Sequence, residues 1–278
     1  MAMLGKQVRM NRLVNPKSGK MMAITVDHAI SRGIGPMKGL QPIQDTINKI
    51  VAGRPDAMTM TKGIAEHCMW ENAGKTSILL KCSSYAPIHP TYDIAFGSVD
   101  EAIRMGADAV SIGAMTYGNY QDKQFTEIGK FSEECMAKGM PLIGHVYPKG
   151  EGVPKDKQTD WEYIAYCTRS ASELGIDIIK TTYTGDQESM AKVVNCTPSR
   201  VVIQGGDSCK TLDDYLNMTH DAMECGVGGV TMGRFVWDYD DITALVVALR
   251  CIIHEGYSVK EAKELLVQLE NDKNYHLF

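Results

Sequence analysis

The chain has no apolar run approaching the ~18 residues needed to span a membrane. It also has no excess of positive charge. With a net charge of −5 and a pI near 5.8, nucleic acid is not expected as a partner. No two of its eight cysteines form a C-x-x-C pair. They read as free thiols of a reducing compartment, and a cytoplasmic location is expected. Its first twenty residues are polar and basic without an apolar h-region, so a signal peptide is not expected there. The seven histidines include neither an H-x-H nor an H-E-x-x-H pair. DHAISRG, after the first apolar run, is not a Gly-rich dinucleotide fingerprint. Neither a linker nor a low-complexity stretch interrupts the chain, so residues 1–278 are read as one domain.

What is present is a repeat. Eight short apolar runs occur at Met22–Val26, Ala57–Met60, Ser77–Leu80, Ala109–Ile112, Pro141–His145, Ile176–Ile179, Val201–Gln204 and Gly229–Met232. Most are continuous rather than alternating, so both faces are expected to be buried, as in parallel strands. They recur about every 29 residues, a spacing that suits a strand–helix unit. The helices open on capping signals, Ser98 with Glu101 and Thr159 with Glu162, and more weakly Thr211 with Asp214. They close on Gly53, Gly106, Gly175 and Gly226, where a left-handed residue turns the chain into the next strand. Eight units predict an α/β fold, a (β/α)8 TIM barrel over about residues 21–254. A short N-terminal helix and an extra C-terminal helix near Ser258–Leu269 complete it. A doubly wound open sheet is the alternative.

In such a barrel, chemistry sits at the C-terminal strand ends. The sixth run ends in Lys180-Thr181-Thr182-Tyr183. Lys180 is either a strand-tip lysine with its head in water, or an amine kept partly dry so that it becomes a nucleophile. Its neighbours at other strand ends suit the second reading. Lys81 or Lys149 could lower its pKa. Tyr147, after the fifth run, can relay protons as a phenol, and Asp27, after the first, can act as acid or base. Gly205-Gly206 and Gly233-Arg234, after the last two runs, suit a phosphate loop: the glycines let backbone N–H groups approach an anion, and Arg234 adds a fork of donors. His28 is expected to bond a substrate oxygen or the backbone. A metal site from His28 and His145 joined by His67 or His89 is a minor alternative.

VDHAISRG, VYPKG, DIIKTTYTGD, QGGDS and GGVTMGRFVW, in this order, resemble the archaeal-type class I aldolases of the DeoC/LacD/FbaB group, from about Arg9 to Leu266. The resemblance implies a (β/α)8 barrel with Lys180 as the Schiff-base lysine, Tyr147 as the proton-transfer tyrosine and Asp27 as the acid/base aspartate. It implies Gly205, Gly206, Gly233 and Arg234 at the substrate phosphate and places Lys149 where the group has an arginine at a second-phosphate contact; His28 and Lys149 are taken as further substrate-binding residues. It implies no cofactor or metal, a phosphorylated sugar as substrate, and a homo-oligomer, often a decamer. The activity it implies first is that of a fructose-1,6-bisphosphate aldolase. The chain also resembles the related 2-amino-3,7-dideoxy-D-threo-hept-6-ulosonate synthases, transaldolase-like enzymes, especially in RLVNPKSGK, GPMKGL, EAIRMGADAVSI and KTTYTGD. NPKSGK and the IIKT lysine are shared with a phosphosugar thiolase. A non-catalytic phosphosugar-binding protein is the alternative outside enzymes. Three positions depart from the group's pattern: Ala29 follows Asp27-His28, Lys149 replaces an arginine, and Phe235 stands where an amide residue is usual. They leave the substrate open.

Overall fold

A computed structural model describes residues 3–33, 37–205 and 209–272. Strands run in chain order as β1 (Met21–Thr25), β2 (Ala57–Thr61), β3 (Ser77–Lys81), β4 (Ser83–Ala86), β5 (His89–Ala95), β6 (Ala109–Thr116), β7 (Leu142–Pro148), β8 (Ile178–Thr181), β9 (Arg200–Gln204) and β10 (Gly229–Met232). Eight of them close a parallel barrel in the order β1-β10-β9-β8-β7-β6-β3-β2. All eight expected strands are present. The two additional ones, β4 and β5, pair antiparallel as a hairpin between β3 and β6. In sequence this connection is long and carries two prolines, Pro87 and Pro90. Pro90 sits near the start of β5, a position a two-stranded edge tolerates.

Alternation along each strand sorts the side chains. Met22, Ile24, Met58, Met60, Val110 and Ile179 point outward and join the core under the helices. The inward set is separate: Met21, Ala23, Ala57, Leu79, Ala109, Ile143, Ile178 and Val202 pack together, with Leu13 of the N-terminal helix Met3–Leu13 among them. That helix therefore plugs the bottom of the barrel. Each fully buried Leu or Ile contributes ~1.5–3 kcal/mol by leaving water.

The surrounding helices bury one stripe each. In Leu212–Glu224 the buried residues are Tyr215, Leu216, Met218, Thr219, Ala222 and Met223, one face of a 3.6-residue period. The capping signals are partly redistributed. Ser98 accepts from the Glu101 amide as expected, while Thr211–Asp214, the weakest in sequence, forms the complete reciprocal box. At the helix Trp161–Glu173 Asp160, not Thr159, is the cap and accepts from the Glu162 amide. Gly106, Gly175 and Gly226 have positive φ, but Gly53 does not, and Arg54 takes the left-handed turn instead. Gly53 is required for closeness: a Cβ there would lie 2.5 Å from Val246. The last barrel helix, Ile242–Arg250, continues as a π turn over Cys251–Glu255, and the extra helix Val259–Asn271 packs against it. Among the described residues no helix is long and apolar enough to cross a membrane.

Candidate active site

Two residues further along each strand from the apolar inner core, the inward positions are Thr25, Thr59, Lys81, Ser111, His145, Lys180, Gln204 and Thr231. Every barrel strand supplies one, and every one is polar. In most barrels branched apolar residues fill such layers. Leaving a buried polar atom unpaired costs ~1–3 kcal/mol, and four members of this layer, Thr25, Thr59, Lys81 and Thr231, have a buried polar atom without a hydrogen-bond partner among the described residues. Six of the eight, all but Thr59 and Ser111, line a cavity of about 340 Å³ that opens at the C-terminal ends of the strands.

Lys180 projects into this cavity from β8, 6% exposed. Its register neighbours are His145 on β7 and Val202 on β9. Burial brings its pKa down to about 8, Asp27 works against the drop, and Lys81, Arg32 and Arg234 add to it. An ordinary lysine has about one amine in a thousand unprotonated near neutrality; Lys180 has a far larger share. Of the two cations expected to act on it, Lys81 does so, whereas Lys149 shares its field with Arg32 and Arg234.

Asp27 and Tyr147 line the same cavity. Burial, and then Asp27, push the Tyr147 phenol far above its usual range, so it stays a neutral donor and acceptor. His28 Nδ1 lies 3.6 Å from Asp27 Oδ1, and its ring meets Trp237 edge-on at 5.5 Å. Trp237 also donates from Nε1 to the Thr25 carbonyl at 3.1 Å. Burial lowers His28 to about 4 against the pull of Asp27. His145 is lowered well below the usual imidazole range by burial and then by Lys81 and Lys180, and its Nε2 lies 2.9 Å from Ser111 Oγ. Both imidazoles are therefore neutral at physiological pH. His67 and His89 are exposed and do not line the cavity, and no group of three metal-binding side chains gathers among the described residues.

Three cations converge at the mouth. Lys149 is depressed by burial, then by Arg32 and Arg234; Arg234 is depressed by burial, then by Arg32. Like charges crowd this way where an anion is to be held. Gly205 and Gly233 border them, while Gly206 lies outside the described residues. Neither described glycine adopts a positive φ; both are needed for close packing. A Cβ on Gly233 would lie 2.5 Å from Thr25 Oγ1 and 2.7 Å from the His28 ring, and one on Gly205 would lie 2.8 Å from the Tyr215 hydroxyl. Phe235 stacks on Tyr215 at 4.3 Å, so this departure from the group's pattern braces the Gly205 turn. Arg32 was not singled out in sequence. Its position on the short helix Ala29–Arg32, one turn beyond Asp27-His28, was the available signal. Asp93 and Tyr85 of the hairpin were missed as well.

A parallel barrel carrying a buried, partly deprotonated lysine beside a phenol, a carboxylate and an anion cradle has the site of a class I aldolase. The family model for DeoC/LacD family aldolases matches residues 21–239, and the chain belongs to that family. It is 30% identical over 278 residues to an uncharacterized aldolase of Saccharolobus solfataricus, covering 95% of this chain and 100% of that one. It is also 30% identical over 253 residues to the 2-amino-3,7-dideoxy-D-threo-hept-6-ulosonate synthase of Halobacterium salinarum, covering 90% and 92%. Among solved structures, an archaeal fructose-1,6-bisphosphate aldolase with its catalytic lysine covalently bound to the carbinolamine intermediate superposes with a TM-score of 0.82. The two are 26% identical, over 90% of this chain and 99% of that one.

Proposed function

We propose that the chain breaks or forms a carbon–carbon bond in a ketose 1-phosphate through an imine on Lys180. The observation that carries this reading is the buried Lys180 amine, with its pKa near 8, in one cavity with Tyr147 and Asp27. The substrate phosphate docks among Arg32, Lys149 and Arg234 and places the ketone over the amine. The Lys180 lone pair attacks the carbonyl carbon. Tyr147 protonates the departing hydroxyl, and water leaves an iminium. Asp27 takes the proton of the C4 hydroxyl as the C3–C4 bond breaks. The bonding electrons flow into the iminium, giving an enamine and free aldehyde. Protonation of the enamine at C3 and hydrolysis of the imine release dihydroxyacetone phosphate and restore the amine. Fructose 1,6-bisphosphate is the ketose that the family resemblance implies. The identity to the Halobacterium synthase favours a second reading, in which the enamine passes to a different aldehyde.

The test is incubation with dihydroxyacetone phosphate and borohydride, followed by mass measurement of the intact protein. A single reduced adduct that Lys180→Met abolishes supports the imine. No adduct, or one unchanged in Lys180→Met, defeats it. Loss of cleavage activity on adding a chelator would point instead to metal-dependent chemistry.

A further inference from the structure

We infer that Tyr117, which lies outside the cavity, is a positioning residue: its left-handed turn locks the loops after β6 and β7 together and so sets where the Lys149 ammonium meets the substrate phosphate. This rests on the Schiff-base reading above, with Lys149 as a phosphate contact.

Tyr117 directly follows the last residue of β6 and has φ +70°. A bulky L-residue adopts that conformation only at a cost, whereas glycine takes it freely. The turn is fixed from three sides. The Tyr117 amide donates to Gln121 Oε1 at 2.6 Å. Its ring packs against Tyr163 and Tyr166 of the helix Trp161–Glu173, with centroids 5.1 Å and 5.0 Å away, and Gln121 Nε2 donates to the Tyr166 hydroxyl at 2.9 Å. Its carbonyl accepts from the Gly152 amide at 2.7 Å. Backbone strain persists where the surroundings over-determine it, and it gathers at working sites. Tyr117 does not line the catalytic cavity, so the strain serves what the turn holds.

The turn holds the loop that begins at Lys149. Each residue from Lys149 to Gly152 is tied to β6 or its turn. The Lys149 amide donates to the Thr116 carbonyl at 3.1 Å. Gly150, with φ +146°, lies so close that a Cβ there would be 2.4 Å from the Gly118 Cα. Glu151 Oε2 accepts from the Asn119 amide at 2.9 Å, and Gly152 returns to Tyr117. The Lys149 backbone is thereby fixed. Its side chain lines the cavity, with Nζ 5.4 Å from the centroid of the Tyr147 ring. A lysine presents a point charge on a flexible stem rather than an arginine's rigid fork. Its aim therefore depends on how firmly its backbone is anchored, and the Tyr117 turn is the anchor.

The experiment is borohydride trapping over a range of ketone concentrations, with dihydroxyacetone phosphate and, separately, with unphosphorylated dihydroxyacetone. Tyr117→Gly permits the turn but loses the ring that pins it. It is expected to raise the half-saturating concentration of dihydroxyacetone phosphate about tenfold, while that of dihydroxyacetone and the extent of trapping at saturation stay unchanged. Tyr117→Phe, which keeps the ring, should match the wild type. Glu151→Ala, an exposed change that removes one tie and leaves the core intact, should raise the same concentration about threefold. Lys149→Met should raise it at least as much as Tyr117→Gly, and in that background neither loop change should add anything. An equal rise for both ketones, a rise that persists on top of Lys149→Met, or no rise in Glu151→Ala or Lys149→Met overturns the inference. Absence of trapping in the wild type defeats the Schiff-base reading instead.

Discussion

The two ends of the barrel treat their polar side chains in opposite ways. At the N-terminal face, aspartates at the strand entrances find partners. Asp177 accepts from the Leu142 amide at 2.9 Å and meets Lys6 at 2.6 Å. Asp108 meets Arg12 at 3.0 Å. Asp56 accepts from the Met22 amide at 2.7 Å and lies 3.0 Å from His254, whose other ring nitrogen is 2.8 Å from Ser18. These contacts hold the N-terminal helix and the last helical turn across the bottom. At the C-terminal face, Thr25, Lys81, Asp93 and Thr231 line the cavity with atoms that have no partner among the described residues. One face spends its polar groups on stability; the other keeps them for a ligand. Barrels generally divide labour this way, and here the division can be followed atom by atom.

The comparison can be broken first at Lys180. Lys180→Met should abolish borohydride trapping and also stabilise the fold, on the order of 1–3 kcal/mol below pH 8. The sign follows from the depressed pKa. Between about 8 and 10.5 the unfolded chain binds a proton that the folded chain does not, so wild-type stability rises with pH there and the advantage of the methionine fades. Urea denaturation of both proteins across that range checks it. At the other face, Asp177→Ala should lower stability by about 1–3 kcal/mol while trapping per folded molecule is retained, because the lost contacts serve only the bottom of the barrel. A matched fall in trapping at fixed folded concentration would erase the distinction between faces. Arg32→Gln should raise KM for the phosphorylated ketone about tenfold, roughly 1.4 kcal/mol, with a smaller change in kcat. The finest effect is expected at Lys81: Lys81→Met removes a cation that depresses Lys180, so the midpoint of the pH–trapping profile should move upward from about 8. A downward shift would show that Lys81 does not act through its charge.

Much of the barrel was readable because strands buried on both faces must be continuously apolar, and that is local information. Helix ends were less legible. Thr159 and Asp160 are both competent caps, and only the path of the preceding turn chose Asp160. The hairpin was hidden because β5 is largely exposed, so its residues carry no strand-like apolar pattern. Arg32 was hidden for a different reason. A lone arginine after a polar turn has no period to betray it, and its role emerges only when Lys149 and Arg234 arrive from β7 and β10.

The sequence by itself determined the eight-unit repeat and the presence of an aspartate, a tyrosine and a lysine at the ends of the first, fifth and sixth barrel strands. Covalent order is enough for that, since each strand must deliver its last residues to the same rim. It could not determine which residues share a wall. That depends on the order in which the strands close and on the inward or outward sense of each one. Closure puts Arg32, Lys149 and Arg234 within one another's fields. It sets Asp93 against Gly113, and it buries Lys180 deeply enough to shift its proton. Burial and through-space charge are properties of the assembled barrel, and they are what keep the Lys180 amine partly unprotonated, as the proposed imine chemistry requires.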